Sequence, residues 1–93
     1  MFEFYVRIRS NHFLVARKES INDFVYRLRI AYDIRISRQA YSAYESGECK
    51  MPLNVFIAIC DLLKIDWKKL LIEQLKLEIK EEESNVSFIE TPG

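Results

Sequence analysis

From Phe2 to Arg9 apolar and polar positions alternate strictly, with Phe2, Phe4, Val6 and Ile8 on one side and Glu3, Tyr5, Arg7 and Arg9 on the other. A period of two belongs to a half-buried strand. Ser10 and Asn11 supply turn chemistry and His12 to Ala16 is again β-prone, so residues 1–18 are expected to form an N-terminal hairpin or extension, with the strands spanning Phe2 to about Arg17. From Ser20 the period lengthens. Ile21, Phe24, Val25 and Leu28 recur at spacings of three and four, which predicts a helix capped by Ser20 and running through Ala31 to about Ile34. Ser37 opens a second, shorter helix holding Tyr41 and Tyr44, and Gly47 stops it in the manner of a left-handed C-cap. Pro52 suits the first turn of a third helix with Val55, Phe56, Ile59, Leu62 and Leu63 on a broad apolar face. Asp66 is placed to cap a fourth, bearing Trp67, Leu70, Leu71 and Leu75. The run from Lys80 to Ser84 is charge-rich and residues 85–93 read as a frayed end, with Val86 to Ile89 as a candidate edge strand. The class is mainly α.

Within this pattern, residues Arg27 to Ser46 place apolar or small side chains at the fourth, fifth, eighth, tenth, fifteenth and eighteenth positions: Ile30, Ala31, Ile34, Ile36, Tyr41 and Tyr44. Two helices crossing steeply over a tight turn need this arrangement, with a small residue at closest approach, Ala31, and a plug in the turn, Ile36. Tyr41 and Tyr44 then anchor the second helix. Its outer side reads Ser37, Arg38, Gln39, Ser42, Ala43 and Ser46, short or hydrogen-bonding side chains that fit a DNA major groove without steric conflict.

Composition narrows the classes. Of 93 residues, 49% are hydrophobic and 30% charged, which excludes disorder along most of the chain, and two glycines with two prolines leave few breakers. A core of this size is marginal alone, so a partner subunit is expected. No apolar run reaches the length of a membrane span, and the start lacks the features of a signal peptide, which predicts a cytoplasmic protein with no membrane association. The net charge of zero hides an asymmetry: through Leu77 there are 13 Lys and Arg against 9 Asp and Glu, and beyond it Lys80 stands against five glutamates. A mildly basic body through Leu77 therefore carries an acidic end from Glu78 onward; the main domain is expected over residues 19–79, with residues 80–93 as an acidic, flexible tail.

The stretch I-S-R-Q-A-Y-S-A-Y-E-S-G from Ile36 to Gly47, followed by M-P-L-N-V-F-I-A-I-C-D-L-L-K-I-D-W-K-K-L-L from Met51 to Leu71, resembles the lambda-repressor-like helix-turn-helix family of bacterial and phage regulators. The resemblance covers roughly Ser20 to Leu71. It implies a bundle of four to five helices, here with an N-terminal β-hairpin, in which Ser37 to Glu45 is the recognition helix. One register begins the motif at Arg27; a second takes Ile21 to Tyr32 as the family's first helix. Arg35 stands where the family usually has glycine, so strain is expected there. The resemblance further implies a transcriptional regulator, a repressor that binds double-stranded DNA at a palindromic operator as a homodimer. Arg38 and Gln39 are the candidates for contacts to guanine and adenine, Ser37, Ser42, Ala43 and Ser46 for the rest of the groove face, and Lys50, Arg27, Arg29 and Arg35 for phosphates. Trp67, Leu71, Leu75 and Ile79 are the candidate dimer contacts, on a helix whose apolar residues cover more than one side.

Other chemistry is sparse. Cys49, Cys60 and His12 cannot make a four-ligand zinc site or a disulfide framework, and no paired acid and base or phosphate-cradling glycine loop is present, so neither an enzyme nor a metal or other cofactor is expected. The competing reading is a protein-interaction module, such as an antitoxin or phage-encoded adaptor, holding a toxin or another regulator through the hairpin and the acidic tail.

Overall fold

The computed structural model describes residues 4–89, with side chains to residue 80. Strand β1 (Tyr5–Val6) leads into helices α1 (His12–Ala16), α2 (Ile21–Tyr32) and α3 (Arg38–Ser46), then strand β2 (Met51–Pro52) and helices α4 (Leu53–Leu63) and α5 (Trp67–Ile89). The described part is thus mainly helical, with one small antiparallel sheet in which Tyr5 pairs with Pro52 and Val6 with Met51.

The helix ends follow local chemistry. The Ser20 hydroxyl accepts the Asp23 N–H at 3.1 Å and the Ser37 hydroxyl accepts the Ala40 N–H at 3.0 Å, each satisfying one free donor of a first turn. Asp66 Oδ1 does the same for Lys68 at 3.1 Å. Gly47 closes α3 at φ 83°, and a Cβ built there would lie 2.2 Å from the Ile8 carbonyl oxygen. Both the left-handed backbone and the close approach therefore demand glycine.

Around this frame Phe24, Leu28, Tyr41, Phe56, Ile59, Leu70 and the inward residues Val6 and Ile8 form one core. Phe13 and Phe56 meet with ring centroids 6.0 Å apart, and Phe24 and Tyr41 at 5.2 Å. The latter contact fixes α3 against α2.

Four expectations are corrected. The hairpin does not form: the alternation identifies Val6 and Ile8 as inward, but β1 pairs with β2, and the β-prone His12 to Ala16 is helical because it buries Phe13 completely against Phe56. Tertiary packing overrides the local β preference there. The spacing from Arg27 to Ser46 holds for Tyr41 and, half-buried, for Ile34, Ile36 and Tyr44. It fails for Ile30, which is 65% exposed, and for Ala31, also exposed. α2 faces the core through Phe24 and Leu28, and Ile30 lies about 200° round the helix from Leu28. The left-handed residue between α2 and α3 is Asp33, at φ 54°, and not Arg35; its N–H bonds the Arg29 carbonyl at 2.9 Å, closing α2 two residues before Ile34. Aspartate is among the side chains that adopt this conformation most readily. Finally, α5 continues as helix to Ile89, so Val86 to Ile89 is not a strand and the acidic run of the expected tail has helical backbone. Residues 90–93 lie outside the described part.

Candidate nucleic-acid interface

On α3 a three-to-four spacing divides the helix. Tyr41 and Glu45 point inward and are buried, Ala43 and Tyr44 are half-buried, and Arg38, Gln39, Ser42 and Ser46 are exposed on the outer side with the cap residue Ser37. The structure thus brings the six groove-face candidates together. An open groove of about 270 Å³ runs along one flank, lined by Arg38, Gln39, Ser42, Ala43, Glu48 and Ile21. On the other flank lies a larger one of about 750 Å³, whose walls include Ser42, Ser46, Arg7 and Asn11. Ser42 belongs to both, so α3 stands as a ridge between two grooves.

The four candidate phosphate contacts are dispersed. Arg27 bonds Glu19 at 2.9 Å and lies over the Phe24 ring at 6.0 Å. Lys50 is 3.9 Å from Glu78 on α5. Arg29 and Arg35 line a depression between α2 and the 33–36 connection that no α3 residue enters, and Arg35 pairs with Asp33 at 3.3 Å. The candidate dimer contacts divide as well: Trp67 and Leu71 pack partly on the core, whereas Leu75 and Ile79 are 37% and 55% exposed. Ile72, 53% exposed, joins them at helical spacing.

The buried Glu45 is paired with Arg17, 28 residues upstream. Arg17 Nε donates to Glu45 Oε2 at 2.8 Å and Nη2 to Oε1 at 2.9 Å, a two-pronged charge-assisted contact. Arg17 Nη1 also donates to the Glu19 carbonyl oxygen. The pair locks the C-terminal half of α3 to the segment after α1. The bond to Glu45 raises the Arg17 pKa, more strongly than burial lowers it. Burial, reinforced by Glu45, pushes the Tyr41 phenol well above its ordinary range, so Tyr41 is a neutral anchor. The one signal in the sequence was that Glu45 falls four residues after Tyr41, on the inward side.

Burial pushes the Cys60 thiol up to about 12, so it is a core side chain, while Cys49 is exposed. Among the described residues no three His, Cys, Asp or Glu side chains gather as a metal site, and no helix is long and apolar enough to cross a membrane. Comparisons of the chain with protein-family models, with curated proteins and with solved structures find no match.

Proposed function

We propose that this chain is a sequence-specific DNA-binding transcriptional regulator of the lambda-repressor-like helix-turn-helix kind, a repressor that acts as a homodimer with α3 in the major groove. The observation that carries the reading is the division of α3: Tyr41 and the Arg17–Glu45 pair close its inner side, while Arg38, Gln39, Ser42 and Ser46 stay exposed outside. Arg38 would meet guanine N7 and O6 and Gln39 adenine N6 and N7, each contact contributing about 1–3 kcal/mol of discrimination. The Ser37 hydroxyl accepts the capping bond and keeps its proton, so it can cap α3 and donate to a phosphate at once. Ile72, Leu75 and Ile79 would join two copies about a two-fold axis, as a palindromic site with half-sites ~34–36 Å apart requires.

Binding of the unaltered chain and of Arg38→Ala to genomic fragments at several salt concentrations tests this. The expected result is one or a few fragments preferred by the unaltered chain, with that preference weakened about 5- to 150-fold in the variant, corresponding to 1–3 kcal/mol. Equal, purely salt-driven binding of every fragment by both proteins contradicts it.

A second reading, the protein-interaction module, has its own support in Tyr26 and Ile30, which leave 62% and 65% of their surface exposed on the outer side of α2. Unchanged operator binding by Tyr26→Ser with Ile30→Ser, together with loss of a toxin or regulator co-purified from the host, is its expected outcome. Both readings can hold for one protein.

A further inference from the structure

The larger groove beside α3 is lined by an arginine, Arg7, that forms no ion pair among the described residues. Arg7, on the polar side of the N-terminal segment, lines it together with Ser42 and Ser46, and the Arg7 Nε is buried with no hydrogen-bond partner among the described residues. A buried donor left unsatisfied is costly, and a guanidinium more so than a neutral group. Glu45 also lines the groove, but both its oxygens are engaged by Arg17. The wall that carries Arg7 is fixed at three points. Val6 pairs with Met51, the Arg9 N–H donates to the buried Gln74 Oε1 at 2.6 Å, and the Ile8 carbonyl packs on Gly47. The backbone that carries Arg7 is therefore held in place beside α3 before any ligand arrives.

We propose that this groove is a phosphate site for the DNA backbone, in which the Arg7 guanidinium holds a phosphate oxygen while α3 occupies the adjacent major groove. The proposal rests on the DNA reading and adds to it a contact on the opposite flank from the Arg38 and Gln39 groove. A planar fork of donors suits a phosphate, and a contact of this kind fixes register on the duplex without reading sequence. The N-terminal segment thereby acquires a role in binding that its alternating pattern did not suggest.

The test uses the full chain, a duplex recovered from a random pool as probe, and the variants Arg7→Gln and Arg7→Lys. Arg7→Gln should bind roughly tenfold more weakly at fixed salt, by a similar factor on every sequence, and should lower the slope of log affinity against log salt by about 0.9. Arg7→Lys should keep the slope, and neither variant should change the preferred sequence. If Arg7→Gln does not fold, the Nε–H resonance of Arg7 in the unaltered chain provides the reading: it should shift on saturation with duplex. An unchanged slope in folded Arg7→Gln, an unmoved resonance, or a resonance moved by inorganic phosphate but not by duplex overturns this proposal while leaving α3 readout standing. Absence of any duplex binding by the unaltered chain overturns the DNA reading itself, and this site with it.

Discussion

α3 and α5 each bury one side against the same core, yet they leave different surfaces outside. α3 closes its inner side with Tyr41 and Glu45 and exposes arginine, glutamine and serines. α5 closes its inner side with Leu70 and Gln74 and exposes Ile72, Leu75 and Ile79. Burial accounts for the position of both helices, so the outer residues are where they diverge. Hydrogen-bonding side chains suit a polyanion with patterned donors and acceptors, whereas branched aliphatic ones suit another apolar surface.

The comparison is broken most severely by removing the α3 anchor. Tyr41→Ala, leaving a cavity against Phe24, should destabilise the fold by about 3–5 kcal/mol in urea denaturation and abolish duplex binding, because the outer side is no longer held in place. Tyr41→Phe removes only a buried hydroxyl that has no hydrogen-bond partner among the described residues and should be neutral or slightly stabilising. The α5 side is sharpened by Leu75→Lys combined with Ile79→Lys. Sedimentation should report a monomer and symmetric operators should be bound more weakly, with monomer stability within about 0.5 kcal/mol of the original, as expected for exposed positions. A dimer that persists through this change places the interface elsewhere.

The smallest effect is on pH. Cys60 and Tyr41 lose their protons at ordinary pKa values in the unfolded chain, 9.0 and 10.0, but are held higher in the folded one by burial. Their contribution is therefore complete below pH 9 and lost as pH rises, first through Cys60 and above pH 10 also through Tyr41. Denaturation midpoints should fall from pH 9 upward, and Cys60→Ala should remove the earlier part of the fall.

The same two helices indicate what the sequence could disclose. Ser37, Gly47 and Asp66 mark helix ends through bonds to residues at most a few positions away, and each was legible from its neighbours. The inward turn of Tyr41 was legible for the same reason, since its partners recur at helical spacing. Val6 pairing with Met51, Phe13 meeting Phe56 and Arg17 holding Glu45 join residues far apart in the chain, and nothing near them announces the partner. The alternation accordingly identified Val6 and Ile8 as inward but assigned them the wrong neighbour, and it failed for Phe4, which is 48% exposed. Of the candidate site, the α3 face was legible as a unit. The scattered arginines were not, because whether an arginine is free depends on which carboxylate the fold brings beside it.

The most direct measurement of the central claim is selection of bound oligonucleotides from a random pool, run in parallel with the unaltered chain and Arg38→Ala. Readout by the outer side of α3 predicts a two-fold symmetric consensus for the first and, for the second, the same consensus with a guanine preference lost at one position in each half-site. No enrichment by the unaltered chain, or an identical consensus from both proteins, would contradict it.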